Sequence, residues 1–313
     1  GILVLGIGIV LSIPDKAFAA CDLELSTAAT ARYQCDDGDT MTITSDGSIE
    51  RIWTNIDAGH ESNGGTATTG ATINNAGTIY SRKTGVNGTG KSAVYFDEST
   101  NGTLINSGTI SADDQRAVVA GLNDDTTNFT LTNSGTIQAS CWAAPNKLAG
   151  NDRVCTLGNG GQGVYVKGSG ATITNETDGI IKADDNIIIL SASNSTITNR
   201  GQIISDDDSG SDEQYGIHLI TGSNGSNIYN YGTITTGFKT ILIDGDDKNN
   251  DNVTLTNYSG GTITSYYRQS ISVGSGVDGF TLNNNEGATI QTTGTNDGYG
   301  IVLDETTNTT VVN

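Results

Sequence analysis

Proline, histidine and basic residues are scarce in this chain of 313 residues, which has two prolines, two histidines and 15 lysines or arginines. Against these stand 35 aspartates or glutamates, so the formal net charge is −20. Nucleic acids bind basic faces, so this balance excludes a nucleic-acid partner from our expectations. It also disfavours electrostatic binding to anionic lipid. We expect the acidity to keep a long surface soluble.

No stretch has the 3.6-residue apolar periodicity of an amphipathic helix. The chain is instead rich in glycine, with 42 residues, and in Thr, Asn, Ser and Asp. Disordered chains favour Pro, Glu and Lys, so their composition differs from this one. Many short strands joined by tight turns fit this composition better. We therefore predict an all-β protein without a second folded domain.

One repeated unit runs through most of the chain, and its clearest copy is TLTNSGTI at 130–137. An apolar residue is followed two places later by Asn, then by a turn residue, Gly, Thr and Ile. Copies recur at intervals of 24 to 42 residues, as is typical of stacked supersecondary units. The central asparagines are Asn75, Asn106, Asn133, Asn175, Asn199, Asn230, Asn257 and Asn284.

Each copy predicts two short strands around a corner, because apolar and polar residues alternate on both sides of the Asn. A third apolar segment follows, such as NIIIL at 186–190. Three strands in each coil predict a right-handed parallel β-helix, a solenoid of roughly nine to ten coils. Each Asn lies two residues from an inward apolar residue, so we expect the asparagines to form an inward hydrogen-bonded ladder. We expect the corner Gly to supply backbone freedom.

The first twenty residues differ from the rest of the chain. An apolar run, GILVLGIGIVLSI, is followed by a small-residue site at 17–19, which predicts a secretory signal peptide at 1–20, truncated at its start. Residues 21–40 carry no repeat, and we interpret them as an N-terminal cap. Residues 41–313 are the predicted β-helix, with an insertion near 138–160 at the longest interval between copies.

Four cysteines form two pairs, Cys21 with Cys35 and Cys141 with Cys155, each with a spacing of 14 residues. In an exported chain this pattern predicts disulfides. Three connectivities exist, and short loop closure favours the local one, in which each bond stabilises by roughly 3 kcal/mol. The second bond would then staple the insertion. An alternative is a lipid on Cys21, whereas a zinc site lacks C-x-x-C spacing and nearby histidine.

Residues 85–92 (GVNGTGKS), from Gly85 to Ser92, match the phosphate-binding pattern G-x-x-x-x-G-K-[ST]. In that motif a helix follows the loop, and its N-terminus binds the phosphates. Here an apolar strand, AVYF at 93–96, follows at once. We therefore predict no nucleotide binding, and no other motif indicates a cofactor.

The two histidines do not predict a catalytic site. His218 alternates with Ile217 and Leu219, so it is predicted to be a solvated residue on the outer side of a strand. His60 lies in a polar loop without a nucleophile motif such as G-x-S-x-G.

Paired aspartates offer oxygen ligands that could bind Ca²⁺, but none matches an EF-hand or a nonapeptide calcium repeat. We predict solvated turns there and no metal site. The runs lie at 113–114, 124–125, 184–185, 206–208 and 246–247. Tyrosines crowd the later corners and are our sugar-stacking candidates, with a packing role as the alternative: Tyr229, Tyr231, Tyr258, Tyr266 and Tyr267.

The N-x-G-T-I corners, the predicted signal peptide, the closely spaced cysteines and the acidic composition resemble a type V autotransporter passenger of Gram-negative bacteria. The resemblance covers residues 41–313. It implies export, passage across the outer membrane through a C-terminal β-barrel not included in this fragment, and display on the cell surface or release from it. Passengers that are proteases carry G-D-S-G-x, which this sequence lacks, so no catalytic residue is carried over.

The resemblance implies adhesion, aggregation or biofilm formation, so we expect a non-enzymatic rod that contacts host or bacterial glycans or proteins. One alternative is a secreted β-helix polysaccharide lyase or hydrolase, which should have an acidic or basic cluster along one face. Another alternative is a lipid-anchored surface β-helix protein.

Overall fold

The computed structural model describes residues 19–51, 56–58, 67–82, 92–113, 115–122, 125–140, 161–205, 214–245, 249–294 and 298–313. All strands of these residues belong to three parallel sheets, and none of these residues is helical. Successive strands belong to successive sheets, so three strands complete one coil. The protein is a right-handed parallel β-helix of about ten coils, which confirms the predicted fold class.

We name the sheets A, B and C. Sheet A consists of Ala19–Ala20, Tyr33–Cys35, Ile56–Ala58, Val94–Phe96, Val118–Ala120, Val164–Ser169, Ile188–Ser193, Tyr215–Leu219, Lys239–Ile243, Ile271–Val273 and Ile301–Leu303, with Thr126–Thr127 also paired to Val164–Ser169. Sheet B consists of Leu23–Leu25, Thr40–Ile43, Thr72–Asn75, Thr103–Asn106, Thr130–Asn133, Thr172–Asn175, Thr196–Asn199, Asn227–Asn230, Thr254–Asn257, Thr281–Asn284 and Thr310–Val312. Sheet C consists of Ala28–Ala29, Ser48–Arg51, Thr78–Ser81, Thr109–Asp113, Thr136–Ser140, Ile180–Ala183, Gln202–Ser205, Thr233–Thr236, Thr262–Ser265 and Thr289–Thr292.

The register between coils stacks like residues on like residues. Leu131 pairs with Leu104 in the coil before it and with Ile173 in the coil after it. All three side chains are at most 1% exposed, and they belong to one continuous apolar core. Burying such a side chain stabilises the fold by about 1.5–3 kcal/mol, so the repeated Ile and Leu positions drive coil stacking.

The corner between sheets B and C requires glycine because the coils approach closely there. A Cβ on Gly135 would lie 2.1 Å from the carbonyl oxygen of Gly108 and 2.6 Å from the carbonyl carbon of Ser107. Both are backbone atoms of the preceding coil, which cannot move aside without unstacking. Gly135 does not have a positive φ, so the expectation that this glycine supplies backbone freedom is wrong.

Part of the predicted N-terminal cap has the form of a regular coil. Leu23–Leu25 pairs in parallel with Thr40–Ile43, and Ala28–Ala29 pairs with Ser48–Arg51. Ala19–Ala20, at the end of the predicted signal peptide, pairs with Tyr33–Cys35, whereas the rest of that peptide lies outside the described residues.

Cys21 and Cys35 form a disulfide, and both residues are buried. Cys21 directly follows the sheet A strand Ala19–Ala20, and Cys35 ends the neighbouring strand Tyr33–Cys35, so the bond joins two successive coils at sheet A. The other predicted pair, Cys141 with Cys155, lies outside the described residues, together with most of the insertion near 138–160.

Candidate functional site

The repeated asparagines form a continuous ladder inside the corner between sheets B and C. Asn106 Nδ2 donates to Asn133 Oδ1 at 2.7 Å, and Asn133 Nδ2 donates to Asn175 Oδ1 at 2.8 Å. Asn133 Nδ2 also lies 3.2 Å from the carbonyl oxygen of Gly135, which holds the corner. The same side-chain bond links every consecutive pair from Asn75 to Asn284, with distances between 2.7 and 2.9 Å.

The two ends of the ladder differ. Asn284 Nδ2 donates to Asn313 Oδ1 at 2.7 Å. At the other end, the residue in register below Asn75 is Ile43, and the buried Oδ1 of Asn75 has no partner among the described residues. Inside the ladder the amides are saturated by each other and by the backbone, so these asparagines serve the fold and cannot bind a ligand.

The residues that directly follow the ladder asparagines form an exposed edge. Tyr231 and Tyr258 stack face to face, with ring centroids 4.1 Å apart and an angle of 5° between the planes. The Arg200 guanidinium lies 5.5 Å from the Tyr231 ring centroid, and Arg200 pairs with Glu176 at 3.7 Å. Both faces of the Tyr231 ring are therefore covered, so a sugar could stack on this ring only by displacing Arg200 or Tyr258.

The five candidate tyrosines do not form one site. Tyr229 faces outward on sheet B, 6.3 Å from the Tyr258 ring, so it adjoins the exposed edge. Tyr266 and Tyr267 directly follow the sheet C strand Thr262–Ser265 and therefore lie at another corner. Of the five, Tyr266 at 44% and Tyr231 at 41% are the most exposed.

Several outward residues of sheet A are apolar and yet buried. Val119, Ile189 and Leu242 point away from the core, and all three are at most 8% exposed. Register places Tyr165 between Val119 and Ile189, and His218 between Ile189 and Leu242. Apolar residues on both sides explain why the sequence of these strands is continuously apolar rather than alternating.

A buried polar network lies along this side of sheet A. Arg116 is 8% exposed, its Nε donates to Gln162 Oε1 at 2.5 Å, and its guanidinium lies 4.8 Å from the Tyr165 ring centroid. Burial lowers the pKa of the Arg116 guanidinium and raises the pKa of the Asp185 carboxyl to about 6. Gln162 connects the two charged groups, because it accepts from Arg116 and is also hydrogen-bonded to the Asp185 side chain.

His218 does point outward, but it is not the solvated residue that the sequence predicts. Its side chain is only 14% exposed, and its ring packs edge-on against Tyr215, with centroids 4.6 Å apart. His218 Nε2 lies 3.0 Å from Asp244 Oδ1 in the next coil. The pair therefore positions Asp244 at the edge of sheet A.

An open groove of about 380 Å³ begins beside this pair and continues along the outer side of sheet A. Leu242, Ser272 and Val302 lie in register and line its floor. Lys239, the first residue of its strand, and Gln269, just before the next strand, line one side of the groove. Gly245, Ser275, Asp244 and Asp304 follow the strands and line the other side. A floor with two apolar side chains, Leu242 and Val302, on either side of Ser272, and with polar groups around it, is compatible with a small polar ligand such as a sugar ring.

The aspartates predicted as solvated turns have structural partners where they are described. Asp113 Oδ2 accepts a hydrogen bond from the Tyr80 hydroxyl at 2.7 Å, and the pKa of Tyr80 is raised to about 12, by burial first and by this bond. Asp125 pairs with Lys167 at 3.0 Å. Asp184 is only 5% exposed. Within the described ranges, no group of three or more His, Cys, Asp or Glu side chains could hold a metal ion.

The corner between sheets A and B has a regular feature that we did not predict from the sequence. At ten of the described corners between sheets A and B, a residue with positive φ stands two places before the sheet B strand. Gly or Asn occupies this position each time, and the signal was an Asn or Gly two residues before the first Thr of the repeat. These residues are Gly38, Gly70, Asn101, Asn128, Gly170, Asn194, Gly225, Asn252, Gly279 and Asn308.

Several predictions fall outside the described residues, including His60 and nearly all of residues 85–92. Of that segment only Ser92 is described, and it is buried at 6% exposure. No helix of the described residues is long and apolar enough to cross a membrane. Comparisons with protein-family models, curated proteins and solved structures found no match.

Proposed function

We propose that this chain is the surface-exposed or secreted part of a bacterial adhesin or aggregation factor, and that it acts as a non-enzymatic rod. The observation that carries the proposal is the open groove on sheet A. Leu242 and Val302 in its floor suit the face of a sugar ring, while Lys239, Asp244 and Asp304 offer hydrogen bonds to hydroxyl groups. The ladder and the buried network stiffen the rod, and the groove offers an open surface to a ligand.

A glycan array with purified residues 21–313 tests the proposal. Ser272→Trp would fill the groove, because Ser272 lies in its floor between Leu242 and Val302. Thr132→Trp is the matched control, since Thr132 is an outward residue on sheet B, far from the groove along the chain. We expect glycan binding that S272W lowers at least about tenfold and T132W leaves unchanged, since tenfold corresponds to about 1.4 kcal/mol. Glycan binding that S272W leaves unchanged would mean that the ligand does not bind in the groove.

A polysaccharide hydrolase is the second candidate, and one observation favours it. Asp244 and Asp304 line the same groove, and they follow sheet A strands that are two coils apart. At about 4.8 Å per coil their backbones are roughly 10 Å apart, near the carboxyl separation of inverting glycosidases. A screen of acidic and neutral polysaccharides decides between the candidates, because turnover lost in Asp244→Asn would replace the non-enzymatic proposal.

A lipid anchor at Cys21 is the remaining alternative. A sulfur atom in the disulfide with Cys35 cannot also carry a thioether-linked lipid, so the bond supports an unmodified Cys21. Mass spectrometry of the mature N-terminus tests this point directly. An acylated Cys21 would establish the lipid-anchored alternative.

A further inference from the structure

All five positive-φ asparagines that stand two residues before a sheet B strand begin the triplet N-x-T, the acceptor sequence for N-linked glycosylation. Three of them, Asn101, Asn194 and Asn252, have φ between 52° and 56° and a side-chain Nδ2 that donates no hydrogen bond within the described residues. All three are exposed, and all three stand two residues before a sheet B strand. We propose that this corner of the β-helix is modified with N-linked sugars at Asn101, Asn194 and Asn252. This inference rests on the proposed export of the chain.

The side-chain amides at these positions are oriented by the next coil. A Cβ on Gly225 would lie 2.7 Å from Asn194 Oδ1, and a Cβ on Gly279 would lie 2.6 Å from Asn252 Oδ1. The Oδ1 atoms therefore lean over glycines, which leave the room that a side chain would fill. Among the described residues, the Nδ2 atoms of Asn194 and Asn252 have no hydrogen-bond partner. Nδ2 is the atom that N-glycosylation modifies.

Asn101 is held in a related way. Its Oδ1 accepts a hydrogen bond from Asn128 Nδ2 at 3.1 Å, which leaves the Asn101 Nδ2 without a partner among the described residues. Asn128 and Asn308 occupy equivalent corners, but their Nδ2 atoms are donors to Asn101 and Asp278. The geometry thus selects three of the five asparagines at this corner.

The fold itself does not need asparagine here. Gly38 and Gly70 occupy the same corner in earlier coils with φ of 73° and 75°. Glycine adopts positive φ at less cost than asparagine, so backbone geometry alone would favour glycine at every coil. An exposed amide at this position is therefore available for a second role.

Two ladder asparagines serve as internal negative controls. Asn175 and Asn257 also begin N-x-[ST] triplets, but they are at most 1% exposed. Their Nδ2 atoms donate to Asn199 and Asn284 of the next coil, each at 2.9 Å. A sugar on either atom would break the ladder and separate the coils, so the folded protein cannot carry one there.

The reaction joins Nδ2 to the anomeric carbon of an activated sugar. The donor class is a glycosyl diphosphate, in which the anomeric carbon bears a nucleotide or lipid diphosphate. The Nδ2–C bond forms as the bond between carbon and phosphate oxygen breaks. The diphosphate leaves and the amide loses one proton, so the step needs no oxidant or reductant.

Glycopeptide mass spectrometry of the protein recovered from its native cells tests the proposal. The expected result is a sugar mass on Asn101, Asn194 and Asn252 and none on Asn175 or Asn257. A native protein without sugar at Asn194 and Asn252, or with sugar at Asn175 or Asn257, would overturn the proposal. Protease treatment of intact cells, read separately, reports whether the chain is exposed on the surface.

Matched variants expressed in the same cells separate the triplet from the fold. Thr196→Val removes the triplet hydroxyl while retaining a β-branched strand residue, and Thr198→Val makes the same change two residues further along, outside the triplet. T196V should lose the Asn194 sugar, and T198V should retain it. Retention in T196V contradicts sequon-directed transfer. A protein that carries the sugars but does not mediate adhesion would contradict the proposed function and leave the glycosylation proposal intact.

Discussion

At the scale of single residues, Asn133 has the most demanding surroundings. Its Oδ1 accepts from Asn106 and its Nδ2 donates to Asn175, so Asn133→Leu removes the ladder donor of the buried Asn175 Oδ1 and one of the acceptors of Asn106 Nδ2. Each unsatisfied group costs about 1–3 kcal/mol, and the added apolar surface offsets part of that cost. We expect N133L to lower the unfolding free energy by about 2 kcal/mol and to lower the midpoint of thermal melting by circular dichroism.

The control for this variant is Thr132→Leu, which adds a similar apolar group to the outer side of the same strand. Thr132 is not part of the ladder, so the unfolding free energy of T132L should lie within about 0.5 kcal/mol of that of the unmodified protein. Equal stability of N133L and T132L would contradict an energetic role for the ladder.

Asp185 gives a pH-dependent prediction. It takes up its proton near pH 6 in the folded protein because of burial, against an ordinary value of 3.8. Between these values the folded state binds more protons than the unfolded state, so stability falls as pH rises through this window. The difference of about two between the two pKa values limits the loss of unfolding free energy due to Asp185 to roughly 3 kcal/mol, and partial exposure of its side chain makes the loss smaller.

Asp185→Asn removes this ionisation. We expect D185N to melt at a higher temperature than the unmodified protein at pH 8, and the difference to shrink as the pH falls toward 4. Asp178→Asn, at an exposed turn, is the control and should give parallel curves at all pH values. Melting curves of D185N and unmodified protein that stay parallel from pH 4 to 8 would rule out a raised pKa at Asp185.

At the scale of elements, the Cys21–Cys35 disulfide stabilises one coil. Replacing both cysteines with serine should lower the stability of that coil by about 3 kcal/mol on the chain-entropy model. Repeat proteins transmit such losses mainly to neighbouring units. Amide hydrogen exchange should therefore accelerate in Leu23–Leu25 and Thr40–Ile43 and stay unchanged in Thr254–Asn257. Acceleration along all of sheet B would mean that the whole helix unfolds as one unit.

The strands of sheets B and C could be predicted closely from sequence, because each residue of the repeat has a single structural role. In TLTNSGTI, Leu131 and Ile137 are buried, Asn133 joins the ladder and Gly135 forms the close corner. Period-2 alternation is visible only when one side of a strand faces water. The repeat therefore specified both the strands and the register.

The outer side of sheet A could not be predicted, since its covering depends on contacts distant in sequence. Ile189 and Leu242 would be exposed by alternation, yet they are buried. His218 is covered by Tyr215, and the groove beside it needs three coils in register. The positive-φ corner was available to sequence analysis, because Asn or Gly precedes the repeat at a constant distance, but its exposure was not.

At the scale of the whole molecule, stacking makes the protein nearly one-dimensional. Apart from the short strand Thr126–Thr127, each described strand pairs only with its equivalents in the coils before and after it. About ten coils at about 4.8 Å give a described rod of roughly 50 Å. The positive-φ asparagines between sheets A and B, the tyrosines that follow the ladder and the groove on sheet A therefore lie on different sides of one stiff scaffold. A ligand could bind at one of these sides without disturbing the others.

The chain has a formal net charge of −20, so charge repulsion opposes both its folding and the side-by-side association of its copies. Salt shortens the range of that repulsion, from about 30 Å at 0.01 M to about 8 Å at 0.15 M ionic strength. We expect a higher melting temperature at 0.15 M NaCl and, if the rods mediate aggregation, larger species in sedimentation velocity. Magnesium and calcium chloride at equal concentrations distinguish screening from a specific site. Equal effects of the two salts support screening, whereas a larger shift with calcium would reveal a calcium site in the acidic turns.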